Sequence, residues 1–218
     1  MEKLKAIIVG ATGMVGSYLL EILQEDDAYR NICIMTRREI SGTGPKVQQI
    51  KVDFDSLAQT QLTTKPDVAF CCLGTTMKTA GSKDAFYKVD FTYCLEFAKL
   101  AKEAGCKKFI MVSALGANAK SANFYMKVKG QIEEAIAALN FDTFIIMQPS
   151  MLLGKRKETR VGESIGQAVM TTLDFLIAGP FKKYKAIHGK TVAAAMAKTG
   201  KDDFQGKVIF ESDKIAAY

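Results

Sequence analysis

A glycine-rich turn near the N-terminus constrains the fold of this chain more than any other stretch. The turn spans residues 10–16, after an apolar run that predicts a buried strand and before a helical pattern. Gly10 allows the sharp turn, Gly13 leaves room for a pyrophosphate, and Gly16 lets the helix pack closely against the strand. The helix N-terminus adds free N–H groups and a positive dipole for phosphates. The turn therefore predicts dinucleotide binding, although an ordinary tight turn between a strand and a helix fits the same glycines.

Beyond this turn, the sequence alternates between strand patterns and helical patterns. Apolar segments predict strands at residues 4–9, 31–36, 47–52, 67–73, 108–113 and 143–148, and helical patterns cover residues 83–104, 124–139, 163–176 and 191–198. Strands without polar alternation predict a parallel sheet that is covered by helices on both faces. Because crossovers are right-handed, we expect the strand order 3-2-1-4-5-6.

These patterns predict an α/β protein with one doubly wound Rossmann domain over residues 1–218. The pattern loosens in residues 150–218, where a further short strand is predicted at residues 208–210. Ligands of such sheets bind outside the carboxyl ends of the strands. We therefore expect residues 150–218 to fold back and form the substrate side of the cleft.

The composition narrows the class of protein and its partners. No apolar run approaches the ~20 residues of a membrane span, and the formal net charge of +7 comes from scattered basic residues. We therefore expect neither membrane nor nucleic-acid binding. The five cysteines lie mainly in apolar patterns, and their odd number favours reduced thiols in a cytoplasmic protein. His188 is the only histidine and has no further ligand at metal-binding spacing, so we expect no metal site.

The end of the second predicted strand indicates which dinucleotide is bound. NAD-specific folds usually place Asp or Glu there, about 20 residues after the glycine turn, to bond the ribose 2′-hydroxyl. This chain has Arg37 and Arg38 instead. A guanidinium pairs with a 2′-phosphate, so we predict NADP(H) in preference to NAD(H), with two solvated arginines as the alternative. Asp53 ends the third strand and would contact the adenine amino group or cap the strand.

Three further residues form a candidate catalytic set. Ser113 closes the fifth predicted strand, and Tyr125 and Lys129 share one face of the following helix because they are four residues apart. A carbonyl that receives a hydride needs a proton donor, which Tyr125 would supply. The Lys129 ammonium would stabilise the phenolate, and Ser113 would hold the carbonyl oxygen. The alternative is a helix with one buried tyrosine and one solvated lysine.

Together, the glycine turn, the Tyr-x-x-x-Lys motif and the strand-end serine resemble the short-chain dehydrogenase/reductase superfamily. Residues 70–76, 128–130 and spaced positions within residues 152–163 are similar to its atypical members, the Tat-interacting oxidoreductases and their bacterial relatives. The resemblance extends to about residue 196. It implies NADPH contacts from Thr12, Gly13, Met14, Val15, Arg37, Arg38, Leu73, Gly74, Tyr125, Lys129, Leu152 and Arg160. We also assign to the cofactor site Gly10, Gly16, Asp53, Thr75 and Pro149.

The resemblance implies an NADP(H)-dependent oxidoreductase that acts on a small carbonyl or alcohol through Ser113, Tyr125 and Lys129. One alternative is an NADPH-loaded regulatory module that binds a protein partner with little turnover. Another is a sugar-nucleotide epimerase, which would use the same tyrosine and lysine. Many superfamily members also use an asparagine of the helix after the fourth strand in a proton relay. Residues 83–104 contain none, and the polar candidates there are Asp90 and Thr92.

The two long helical patterns, at residues 83–104 and 124–139, also bear on assembly. Both carry wide apolar faces, which predict either a homodimer through these helices or simple coverage of the sheet in a monomer. The apolar residues of the first pattern are Phe86, Val89, Tyr93 and Phe97, and those of the second are Ile132, Ala135, Ile136 and Leu139. Glu133 and Glu134 are expected on the solvent surface of the second helix.

Overall fold

The computed structural model describes residues 3–62, 64–154 and 179–218. Its strands are β1 (Leu4–Val9), β2 (Tyr29–Thr36), β3 (Val47–Lys51), β4 (Val68–Cys71), β5 (Lys108–Val112), β6 (Thr143–Gln148), β7 (Leu152–Leu153), β8 (Ile187–His188) and β9 (Gly206–Glu211). Seven of them form one sheet in the order β3-β2-β1-β4-β5-β6-β9, and every neighbouring pair is parallel. The remaining two, β7 and β8, form a separate short parallel pair.

The predicted strand order is confirmed. The predicted further strand is β9, which is longer than the apolar triplet at residues 208–210 and pairs with β6 along its whole length. The fourth strand is shorter than predicted, because residues 72 and 73 leave the sheet after Cys71. Those residues run toward the carboxyl edge of the sheet, where ligands of this fold bind.

Helices follow most of the strands. They are α1 (Met14–Glu25), α2 (Met77–Ala80), α3 (Lys83–Tyr87), α4 (Tyr93–Glu103), α5 (Phe124–Ala137), α6 (Gly189–Lys201) and α7 (Ser212–Ala217), with 3₁₀ turns at Phe54–Gln59 and Gly179–Tyr184. The pattern at residues 83–104 is not one continuous α-helix, because a π-helical turn at Lys88–Thr92 separates α3 from α4. The predicted helix at residues 163–176 lies outside the described residues.

The hydrophobic core has two layers, one on each face of the sheet. On one face, residues such as Leu19 of α1 and Met196 of α6 are fully buried against the strands. On the other face, Phe97 of α4 and Ile132 of α5 occupy the equivalent position. The strands are therefore buried on both sides, which explains why their sequences lack polar alternation.

The apolar faces of the two long helical regions pack mainly against the core of the same chain. Four of the apolar side chains that suggested a dimer are fully buried against the core: Phe86, Phe97, Ile132 and Ile136. The others are partly exposed: Val89, Tyr93, Ala135 and Leu139. Fewer apolar side chains are thus left exposed for a second subunit than the sequence pattern predicted. The homodimer stays a prediction.

The turn after β1 has room for glycine only at two of its positions. Gly10 has a φ of +78°, and a Cβ atom built on it would lie 2.5 Å from the carbonyl carbon and oxygen of Cys72. A Cβ atom on Gly16 would lie 2.1 Å from the carbonyl oxygen of Gly10. Both distances are well inside van der Waals contact. Only glycine therefore allows α1, the turn and the end of β4 to approach one another this closely.

We expect the Gly10→Ala substitution to destabilise the protein much more than Gly42→Ala. Gly42 has a φ of +74°, but no described residue beyond its two chain neighbours comes within 4 Å of a built Cβ, so alanine there meets only the left-handed backbone penalty of about 1–2 kcal/mol. At Gly10 the overpacking against Cys72 adds about 1–3 kcal/mol. Urea unfolding of both variants measures the difference, and equal losses would show that the contact with Cys72 is relaxed at no cost.

Candidate functional site

A cavity of about 620 Å³ lies at the carboxyl ends of the central strands. It collects most of the predicted site residues, which come from five separate segments of the chain. The predicted residues that line it are Thr12, Gly13, Met14, Val15, Leu73, Gly74, Thr75, Ser113, Tyr125, Lys129 and Leu152. The fold therefore brings the glycine turn and the Ser–Tyr–Lys set to one cavity.

A second cavity of about 210 Å³ adjoins the first, since Thr12 and Leu73 line both. Its other predicted lining residues are Gly10, Arg37 and Arg38. Both arginines are exposed, and none of the described residues that line this second cavity carries a carboxylate. The two cavities share a wall, and the two positive charges lie at the smaller one, an arrangement that suits a dinucleotide extending from one cavity to the other.

The N-terminus of α1 faces the larger cavity and is suited to a phosphate. Its N-cap residue, Gly13, offers no side-chain hydrogen bond, and the first turn contains no acidic residue. The first N–H groups of a helix lack partners within the helix. They are therefore available to an anion, together with the positive end of the helix dipole.

Three predicted contacts, Asp53, Gly16 and Pro149, line neither of the two cavities. Asp53 is exposed, and its carboxylate accepts a hydrogen bond from the Asp55 N–H at 3.0 Å, so it caps the 3₁₀ turn that follows. Gly16 and Pro149 are buried and line neither cavity. Arg160 lies outside the described residues. Asp53 thus caps the 3₁₀ turn rather than the strand, and its contact with adenine stays a prediction.

A buried ion pair holds Lys129 at the cavity. Its Nζ lies 2.7 Å from Oδ1 of Asp90, with the two side chains only 5% and 0% exposed. This contact is a close ion pair rather than a well-aligned hydrogen bond. The other oxygen, Oδ2, accepts a hydrogen bond from the Thr75 N–H at 2.8 Å. Asp90 therefore links α5 to the loop after β4, on which Gly74 and Thr75 line the cavity.

The charge of Asp90 also determines the titration of Lys129. Burial by itself lowers the pKa of the Lys129 ammonium, but the Asp90 carboxylate opposes burial and, together with Tyr125 and Cys94, raises the pKa above its usual value. Lys129 is therefore positively charged at neutral pH. Its field at neighbouring groups is reduced, however, because the Asp90 charge is so close.

The π-helical turn explains how a carboxylate reaches this position. Such turns are rare and are frequent at functional sites. Of the two polar candidates within it, Asp90 is fully buried beside Lys129, whereas Thr92 is exposed. Asp90 is thus the polar side chain that this helical region contributes to the site. It lies in the region from which many superfamily members supply an asparagine, and which contains no asparagine in this chain.

Tyr125 lies in the first turn of α5. Asn123 caps this helix by accepting a hydrogen bond from the Met126 N–H at 3.1 Å, which fixes where the helix begins. The Tyr125 ring is half-buried and packs on the ring of Phe86 at a centroid distance of 5.6 Å. The hydroxyl end of Tyr125 can therefore face the cavity from a packed and capped position.

Glu133 is buried, so the prediction that it lies on the solvent surface of the helix is wrong. Glu133 is only 5% exposed, whereas Glu134 is exposed as predicted. The hydroxyl of Ser113 donates a hydrogen bond to Glu133, and the Gln148 amide donates at 3.0 Å and 3.1 Å to its two oxygens. Glu133 follows Lys129 by four residues, as Lys129 follows Tyr125, and this spacing was the signal in the sequence.

Comparison with known proteins identifies the family. The chain matches the NAD(P)H-binding family over residues 10–203, which is most of its length. The chain belongs to this family. Among relatives of this NAD(P)H-binding protein, FMP52-1 of Scheffersomyces stipitis is 39% identical over 160 residues, which cover 72% of the present chain and 71% of the relative. HTATIP2 of Rattus norvegicus is 35% identical over 177 residues, with 79% and 73% covered.

The relatives confirm the predicted resemblance to the Tat-interacting oxidoreductases. FMP52-1 is named a mitochondrial protein, which differs from the cytoplasmic location expected for the NAD(P)H-binding protein described here. Within the described residues, no helix has the length and apolar character needed to cross a membrane.

Solved structures share the fold at low sequence identity. The UDP-N-acetylglucosamine 4-epimerase of Methanobrevibacter ruminantium has a TM-score of 0.71 and 15% identity, with 97% of the present chain and 77% of that chain covered. Human epimerase family protein SDR39U1, solved with NADPH, has a TM-score of 0.65 and 16% identity, with 95% and 74% covered. These structures show that the NAD(P)H-binding protein has a Rossmann-like fold.

We expect Asp90→Asn to destabilise the protein by about 3–5 kcal/mol, because it leaves the Lys129 ammonium buried without a counter-charge. Asp55→Asn is the control, since Asp55 forms an ion pair of 2.6 Å with Lys88 in which both side chains are 52% exposed. Exposed pairs contribute little, so this variant should unfold like the parent. Adding Lys129→Met to Asp90→Asn should recover most of the loss. Chemical unfolding measures all three, and equal stabilities for the two single variants would contradict the assignment.

Proposed function

We propose that the protein is an NADP(H)-dependent oxidoreductase that interconverts a small carbonyl compound and its alcohol. The observation that carries this proposal is the larger cavity, where the uncapped N-terminus of α1 and the side chains of Ser113, Tyr125 and Lys129 meet. A phosphate-binding helix end and a proton donor in one cavity are what hydride transfer to a carbonyl requires.

The roles of the side chains follow from their positions. The bound nicotinamide would supply or accept the hydride. Tyr125 would donate its hydroxyl proton to the carbonyl oxygen in reduction and accept a proton from the alcohol in oxidation. Ser113 would position that same oxygen by a hydrogen bond. Each of these groups is held by packing or by hydrogen bonds before substrate arrives, as a precise site requires.

Lys129 would act by charge and by hydrogen bonding. Its ammonium favours the phenolate form of Tyr125 during proton transfer, and it can donate a hydrogen bond to a ribose hydroxyl of the cofactor. Asp90 keeps the ammonium charged and in place. The same carboxylate fixes where the ammonium lies relative to Tyr125.

The preference for NADP(H) is proposed from the second cavity. Arg37 and Arg38 line it and are exposed, and its lining within the described part of the chain contains no carboxylate that would repel a 2′-phosphate.

Two other functions are tested alongside this one. A UDP-sugar epimerase has the same fold as the present chain, and an epimerase would also need a tyrosine and a lysine in this position. A regulatory module that binds NADPH and then a protein partner would need the cofactor crevice but not Tyr125. Both alternatives predict that the cofactor binds. Unlike the main proposal, neither predicts net oxidation of NADPH by small carbonyl compounds.

For cofactor choice, we expect NADPH to bind at least about tenfold more tightly than NADH. Hydrogen bonds to charged groups contribute roughly 1.5–3 kcal/mol each, and ~1.4 kcal/mol corresponds to tenfold in affinity. Replacing both Arg37 and Arg38 by alanine should remove most of this difference. NADH affinity of the same variant is the control and should hardly change. Calorimetry that gives equal affinities in the parent would refute the preference.

For turnover, we expect Tyr125→Phe to reduce the rate by ~10²–10⁴, the usual effect of removing a positioned acid. The ring still packs on Phe86, so stability and NADPH affinity should stay near the parent values. Lys129→Ala should weaken both turnover and NADPH binding. The measurement is NADPH oxidation with a panel of small aldehydes and ketones.

The same assay separates the alternatives. Equal rates in the parent and in Tyr125→Phe would remove the tyrosine from the mechanism. A parent that binds NADPH and reduces no member of the panel would favour the regulatory module. Epimerisation of a UDP-sugar without net oxidation of NADPH would favour the epimerase.

A further inference from the structure

A buried carboxylate that the proposed reaction does not use lies directly behind Ser113. Glu133 does not line the cavity, whereas Ser113 does. The Glu133 side chain accepts hydrogen bonds from the Ser113 hydroxyl and from the Gln148 amide. Ser113 follows β5 and Gln148 ends β6, at the carboxyl ends of both strands. Glu133 therefore connects α5 to these two strands below the position of the substrate.

These contacts determine which way the Ser113 hydroxyl points. A serine hydroxyl has one proton to donate and two lone pairs that accept. An ionised carboxylate only accepts. While Glu133 is ionised, Ser113 therefore gives its proton to Glu133 and presents only lone pairs to the cavity. In that state Ser113 can receive a hydrogen bond from an alcohol, but it cannot donate one to a carbonyl oxygen.

We propose that Glu133 is a positioning residue that sets the direction of the Ser113 hydrogen bond and thereby the preference for the alcohol or the carbonyl form of the substrate. The proposal rests on the proposed oxidoreductase function. With Glu133 ionised, the site favours the alcohol. With Glu133 protonated, the acid can donate its own proton to Ser113, and Ser113 becomes free to donate to a carbonyl.

The pKa of Glu133 depends on its burial, on its hydrogen bonds with Ser113 and Gln148, and on nearby lysines. Burial raises the pKa of Glu133, and the hydrogen bonds from Ser113 and Gln148 oppose that rise. Among the described residues, the charged groups that act on it are Lys207 of β9 and Lys129 of its own helix, and both favour the ionised form. Lys129 is itself paired with Asp90, which weakens its influence on Glu133.

The first test compares Glu133→Gln with the parent. Glutamine keeps the size of the side chain but offers both a donor and an acceptor, so Ser113 is free to donate to the substrate. Glu134→Gln is the matched control, since it removes the same charge from the neighbouring, exposed position. The Michaelis constants are measured for an alcohol with NADP⁺ and for the corresponding carbonyl with NADPH, from about pH 5 to about pH 9.

In the parent, the KM for the carbonyl should be highest on the alkaline side and should fall as Glu133 becomes protonated in acid. In Glu133→Gln it should be low throughout, about tenfold below the alkaline parent value, and the KM for the alcohol should rise. The kcat values should change less than the KM values. Glu134→Gln should follow the parent. An unchanged ratio of the two KM values, or the same shift when Ser113 is already alanine, would overturn the proposal.

The second test needs no turnover. The infrared carboxylate band of Glu133, identified as the difference between parent and Glu133→Gln, is followed against pH. Ser113→Ala removes a donor to the carboxylate, so the titration midpoint of Glu133 should move to higher pH. An unchanged midpoint would refute the hydrogen bond on which the proposal depends. An inactive parent with a shifted midpoint would instead overturn the proposed oxidoreductase and the substrate preference, while leaving the direction of the hydrogen bond established.

Discussion

The buried ion pair between Asp90 and Lys129 is the interaction on which the organisation of the site depends. Two charges removed from water are costly unless they compensate each other. The pair is compensated because the π-helical turn carries Asp90 inward, and because the loop after β4 gives a backbone N–H to the same carboxylate. Three segments that are distant in the sequence must therefore be in place together, and the position of Lys129 depends on all three.

Much of this fold could be predicted from the sequence because its main signals are local. Buried parallel strands show as short apolar runs, and the glycine turn requires close approach of α1 to the strand end. The strand β9 was predicted too short, since it lies at the sheet edge and only Phe210 in it is buried. The residues at its two ends, Gly206, Lys207 and Glu211, carry no apolar signal that could mark where the strand begins and ends.

The site was predicted less completely than the fold. The Ser–Tyr–Lys set could be found because its spacing is fixed by one helix and one strand end. Glu133 was missed because acidic side chains on helices are rarely buried, and because its partners, Ser113 and Gln148, come from two different strands. Asp90 was identified as a polar candidate, but its choice over Thr92 depends on a π-helical turn, for which the sequence carries no clear signal.

The spacing of Tyr125, Lys129 and Glu133 has a geometric consequence. Each step of four residues advances about 40° beyond a full turn of an α-helix, so the three side chains follow a slow spiral around α5. The spiral begins at a half-buried tyrosine and ends at a carboxylate below the cavity floor. A single helix thus supplies the proton donor, the adjacent cation and the group beneath the serine. A small rotation of α5 about its axis would displace all three at once, so the packing of its buried face against the sheet sets their alignment.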